Sequence, residues 1–122
     1  MTVKNLVLAL LLTTPLVTMA AQPAKISNGI LTDSDGMTLY IFEKDSADSG
    51  KSVCNDACAT NWPPFFVKMG EKEDGDYSFI KRDDDRLQWA WKGKPLYFWI
   101  KDKGPGDMTG DGVNKVWHVV KP

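Results

Sequence analysis

Gly36-Met-Thr-Leu-Tyr-Ile-Phe-Glu-Lys-Asp45 and Gly93-Lys-Pro-Leu-Tyr-Phe-Trp-Ile-Lys-Asp102 decide how this chain is read. Laid side by side, the two stretches share five of ten residues: Gly, Leu, Tyr, Lys and Asp. Ile41 then matches Phe98, and Phe42 matches Trp99. Trp62 and Trp117 follow at similar distances from their own copies. Self-similarity of this kind marks a duplicated supersecondary unit, and two copies are too few for a solenoid. They suit a single domain with a pseudo-two-fold axis.

Working outward, each copy is a strand flanked by turn signals. Gly29-Ile-Leu-Thr32 precedes the turn Asp33-Ser-Asp-Gly36, whose Asp and Ser bond their own backbone and whose Gly tolerates positive φ. Leu87-Gln-Trp-Ala-Trp91 precedes Lys92-Gly93 in the second copy. Further short β-forming runs are Phe65 to Val67, Tyr77 to Lys81 and Val116 to Val120. Cys54 to Asn61 predicts one helical turn capped by Asn55 or Asp56 and ended by Trp62-Pro63-Pro64. No segment holds a helical period over three turns. The expected fold is all-β: a small single domain of short antiparallel strands with an internal pseudo-two-fold repeat. Its halves run over about 29–67 and 77–122, with one short helical turn near a disulfide.

Met1 to about Ala21 reads as a secretory signal peptide. Lys4 is the positive n-region, Leu6 to Leu12 the apolar core, and Thr18-Met-Ala-Ala21 the small-residue cleavage region. Residues 22–28, with Pro23, are expected to form a flexible lead. The expected location is periplasmic or secreted, with no stable membrane anchor once the signal is removed.

Export bears on the two cysteines. In an oxidising compartment Cys54-x-x-x-Cys58 most simply closes one disulfide, and residues four apart on a helical turn lie about 6 Å apart, within disulfide reach. The chain carries a formal net charge of −1 with both signs interspersed, so no basic field exists to attract nucleic acid.

In the duplicated strands Leu39 and Ile41 alternate with Tyr40 and Phe42, and Leu96, Phe98 and Ile100 alternate with Tyr97 and Trp99. A strand apolar on both faces is buried on both, or presents one face as a binding surface. In the second case Tyr40, Tyr97, Trp89 and Trp91 would form an aromatic shelf for an unknown protein or glycan.

Two metal readings stand beside it. Asp107, Thr109, Asp111, Gly112 and Val113 match the oxygen, glycine and carbonyl spacing of a calcium loop, with Asp102 as a substitute for the missing final carboxylate. Gly110-Asp-Gly112 is equally a tight turn. Cys54, Cys58 and His118 form a soft donor set suited to copper, which would suggest metal handling or electron transfer. No nucleophile elbow, haem-attachment string or carboxylate pair outside a turn is present, so no catalytic residue is assigned and no enzyme is expected.

Tyr40-Ile-Phe-Glu-Lys-Asp45 and Tyr97-Phe-Trp-Ile-Lys-Asp102 both fit Tyr-x-(Phe/Trp/Tyr)-x-x-Asp. With Cys-x-x-x-Cys-Ala, Trp-Pro-Pro and Pro-Gly-Asp-x-x-Gly-Asp-Gly, the chain resembles a secreted-repeat family of unknown function, predicted lipoproteins that carry this motif. The likeness covers about Gly29 to Pro122. It implies a small secreted or surface module with no established activity. A lipid-bearing Cys is missing near the cleavage region, so tethering is not implied for this chain. The resulting expectation is a non-enzymatic binding or structural module. A copper or electron-transfer accessory and a calcium-stabilised surface module are the alternatives.

Overall fold

A computed structural model describes residues 22–122; the signal-peptide reading of 1–21 lies outside them. Among the described residues seven short strands form three antiparallel sheets. β1 (Ala24–Ser27) pairs with β2 (Ile30–Asp33). β3 (Tyr40–Phe42) pairs with β7 (Trp117–Val119). β4 (Tyr77–Lys81), β5 (Leu87–Trp91) and β6 (Lys94–Pro95) make the third sheet. One helix, α1 (Ala57–Asn61), follows the first cysteine, and a 3-10 turn spans Val113–Lys115. No helix among the described residues is long and apolar enough to cross a membrane.

The stretch 22–28, expected to be a flexible lead, holds β1, and Ala24 is buried in the core. The reason is local. Asn28 and Gly29 both adopt positive φ, 51° and 78°, as a two-residue hairpin turn requires. Lys92 and Gly93 make a turn of the same kind between β5 and β6, at φ 48° and 77°.

The two copies meet at their tyrosines. Tyr40 donates its amide to the Tyr97 carbonyl at 2.8 Å, and Tyr97 returns the bond at 2.9 Å. This ladder is the floor between two cores. Leu39 and Leu96, with Ile41 and Phe98, face a cluster containing Leu31, Phe65, Trp89 and Val120. Tyr40 and Tyr97, with Phe42 and Trp99, face a second cluster containing Cys54, Trp62, Trp117 and Val119. Both faces of each motif strand are therefore buried. The segment Pro64 to Val67 runs along strands of the second copy, bridging Tyr97 at Pro64 and Gln88 at Phe66.

Cys54 and Cys58 are joined, with Cα atoms 5.2 Å apart. Asp56, the N-cap of α1, makes no side-chain capping bond. The turn is instead held by Arg82. This buried guanidinium donates to the Cys54 carbonyl, to Asn55 Oδ1 at 3.1 Å and to Gln88 Oε1 at 2.7 Å. Gln88 in turn donates to the Leu96 carbonyl at 2.7 Å. Among the described residues no buried side-chain nitrogen or oxygen lacks a partner, as a closed polar network requires.

Candidate functional site

The motif strands bring together two tyrosines and two aspartates, but not within one copy. Tyr40 donates to Asp102 Oδ2 at 2.6 Å. Tyr97 donates to Asp45 Oδ2 at 2.5 Å. Each copy of Tyr-x-(Phe/Trp/Tyr)-x-x-Asp thus receives its carboxylate from the other copy. The second oxygen of each carboxylate organises a loop: Asp45 Oδ1 accepts from the Val53 amide at 2.8 Å, and Asp102 Oδ1 from the Thr109 amide and hydroxyl at 3.0 and 2.6 Å. Gly110 donates its amide to the Tyr40 hydroxyl, and Ser52 Oγ lies 2.5 Å from the Tyr97 hydroxyl. Burial above all, with the adjacent Asp102 and Asp45, pushes the Tyr40 and Tyr97 phenols well above the ordinary range. Burial likewise raises Asp45, against the lowering influence of the Tyr97 hydrogen bond.

Above this network four rings lie in a stack. Trp99 meets Trp62 at 4.0 Å, Trp62 meets Trp117 at 3.8 Å and 3° between planes, and Trp117 meets Phe42 at 4.2 Å. Tyr40 and Tyr97 approach Trp62 and Trp117 edge-on at 5.4 and 5.1 Å. Exchanging the two copies preserves the order of the stack, since Trp99 corresponds to Phe42 and Trp62 to Trp117. Gly110 closes it: a Cβ there would come within 2.9 Å of Trp62, Trp99 and Tyr40.

The aromatic shelf is therefore not an exposed surface. Tyr40 and Tyr97 are 0% exposed and Trp89 1%. Trp91 is half-buried against the first cluster. Alternation along a strand assigns faces, but it does not say whether a second layer covers them.

The acidic loop is organised from within. Asp107 Oδ2 accepts from the amides of Lys103 at 2.8 Å and Gly104 at 3.1 Å. Asp111 Oδ1 accepts from the Val119 amide, Thr109 turns its hydroxyl to Asp102, and the Val113 carbonyl accepts from Val116. These oxygens stabilise the loop and pin it to β7, as a structural turn would. For the copper set, the joined sulfurs offer no thiolate, and His118 Nε2 lies 3.0 Å from Glu43 Oε2 on the neighbouring strand. Among the described residues no three His, Cys, Asp or Glu side chains are grouped so as to hold a metal ion.

The surface feature missed in the sequence is a cleft beside the disulfide turn. It encloses about 460 Å³ and is lined by α1 residues Ala59 and Thr60, by Pro63 and Pro64, and by Arg82 to Asp84. Phe66 and Arg86 form its far wall, where the guanidinium sits 3.5 Å over the ring. The same pair borders a second depression of about 360 Å³ that runs on past Met69 and Leu87. Met69 is fully exposed and Leu87 is 40% exposed. Arg82 and Arg86 flank the turn Asp83-Asp-Asp85, and only this bracketing hinted at the cleft.

Comparison with known proteins accounts for the duplication. The family model described as a secreted repeat of unknown function matches residues 24–65 and again 78–121. No curated protein and no solved structure matches the chain.

Proposed function

Since the chain belongs to the family of secreted repeats of unknown function, we propose that it is a non-enzymatic binding module of the periplasm or cell exterior, engaging a protein partner along the cleft beside the disulfide turn. The cleft and its continuation carry this reading. They form an elongated surface that mixes prolines, an arginine-covered phenylalanine, exposed Met69 and Leu87, and charges of both signs. Arginine, aromatic residues and methionine over a polar rim are the composition of protein interfaces. A glycan would need a bare ring to stack on, whereas Arg86 already covers Phe66. The non-enzymatic part rests on the interior. Its buried charged side chains, Arg82 and Asp102, are tied into hydrogen bonds within the fold, and the bonded Tyr40 and Tyr97 are 0% exposed and out of reach of a substrate.

The test places a photo-crosslinking amino acid at Thr60 or Arg86 and, as a control, at exposed Asp35, which lies on the separate turn after β2. In cells exporting the protein, the two cleft positions are expected to trap one discrete protein partner and Asp35 none. Equal trapping at all three positions, or none at the cleft, overturns the proposal.

A further inference from the structure

The stacked indoles and exchanged Tyr–Asp pairs have a chemistry that simple core packing does not require. Trp99 and Phe42, at the two ends of the stack, are half-buried, whereas Trp62 and Trp117 between them are buried. Three indoles in sequence, at 4.0 and 3.8 Å, make a continuous path from a partly buried ring to the centre of the protein. At that centre each inner indole touches the edge of one tyrosine, and each tyrosine is already hydrogen-bonded to a carboxylate.

Indole and phenol are the side chains most readily oxidised by one electron, apart from thiols. Oxidising a phenol releases its proton, so a buried tyrosine yields an electron only where an acceptor for that proton is in contact. Asp102 and Asp45 occupy that position. We infer that the Trp99–Trp62–Trp117 stack is a one-electron relay that carries an oxidising equivalent from the surface to Tyr40 and Tyr97, with Asp102 and Asp45 as proton acceptors. This activity is independent of the cleft.

An external one-electron oxidant, such as an inorganic radical, removes one electron from Trp99 and leaves an indole cation radical. Electrons from Trp62, and where needed Trp117, shift the vacancy inward. Tyr40 or Tyr97 supplies the last electron while its phenolic proton passes to Asp102 or Asp45. The products are the reduced oxidant, closed-shell indoles, a neutral phenoxyl radical and a neutral carboxyl. An external one-electron reductant reverses the step, and the proton returns to the phenol oxygen.

Pulse radiolysis with the azide radical, which oxidises indole selectively, provides the test on the full chain. The tryptophanyl absorption is expected to decay at a rate independent of protein concentration, with matching growth of the tyrosyl absorption. Tyr40→Phe combined with Tyr97→Phe abolishes that growth, whereas Tyr77→Phe, in the other core, leaves it intact. Asp45→Asn with Asp102→Asn slows it by about a hundredfold, the low end of what a positioned proton acceptor contributes. Near-ultraviolet circular dichroism verifies that each variant is folded. Should the double variants unfold, electron paramagnetic resonance of the freeze-quenched wild-type radical decides, since a phenoxyl hydrogen-bonded by a carboxyl differs in its g-tensor from a solvated one. Concentration-dependent decay alone, tyrosyl growth that survives in folded Tyr40→Phe/Tyr97→Phe, or a solvated g-tensor overturns the relay.

Discussion

Tyr40→Phe removes a single hydroxyl from a ring that is 0% exposed, and the consequences follow from its two partners. Asp102 Oδ2 loses a donor at 2.6 Å, and the Gly110 amide loses an acceptor at 3.1 Å. A hydrogen bond to a charged group contributes about 1.5–3 kcal/mol, and a buried amide left without a partner costs about 1–3 kcal/mol. Asp102 keeps both of its Thr109 bonds, so the losses do not simply add. A net destabilisation of about 3 kcal/mol is expected, out of the roughly 5–15 kcal/mol that holds a typical domain. At about 4–8 °C per kcal/mol for a domain near this size, the melting temperature falls by roughly 12–24 °C. The informative assay is a pair of double-mutant cycles by chemical denaturation. Tyr40→Phe with Asp102→Asn should show a coupling of about 1–2 kcal/mol, and Tyr40→Phe with Asp45→Asn should be additive within about 0.5 kcal/mol. A larger coupling between Tyr40 and Asp45, the aspartate of its own motif copy, would refute the exchange between repeats.

Three further outcomes follow from the same geometry. All three tyrosines, Tyr40, Tyr77 and Tyr97, have phenols raised chiefly by burial. Folded phenols hold their protons where unfolded ones release them, so this contribution is fully present below the unfolded value of about 10 and is lost as pH rises beyond it; phenolate absorbance should therefore appear together with loss of near-ultraviolet dichroism, and separate ionisation of a folded protein would contradict it. Gly110→Ala should cost about 1–3 kcal/mol and weaken the circular-dichroism signal of the coupled indoles, since the new methyl collides with three rings; Gly104→Ala, with open space and no positive φ, should leave the denaturation midpoint nearly unchanged. Arg82→Ala strips donors from the Cys54 carbonyl, Asn55 and Gln88 and should lower stability by about 3 kcal/mol, whereas Arg86→Ala at the surface should stay within about 0.5 kcal/mol.

Much of the fold was legible because its signals are local. The Lys92-Gly93 turn, the cysteine spacing, the proline stop after α1 and the alternating apolar strands each act over a few residues. β1 was also legible in principle, because Asn28-Gly29 is a strong hairpin signal flanked by Lys25-Ile26-Ser27 and Ile30-Leu31-Thr32. Pro23 and the polar composition of 22–28 point toward a flexible lead instead. The aromatic shelf failed for another reason. Burial of Trp89, Tyr40 and Tyr97 depends on which segments cover them, and those lie far away in sequence.

Read alone, the amino-acid order determined that two copies of one motif exist, that their strands are apolar on both faces, and that one short covalent loop follows the first copy. It could not assign the partner of either tyrosine. Tyr40 and Asp45 are five residues apart, an odd offset that places them on opposite faces of an extended strand, and nothing along the chain reveals which other carboxylate fills the gap. Packing the two copies against each other decided it. The antiparallel Tyr40–Tyr97 ladder brings each phenol beneath the far copy's aspartate, and the same contact turns four separate rings into one stack. Sequence periodicity encodes the direction in which a side chain points; only the closed fold determines what it meets.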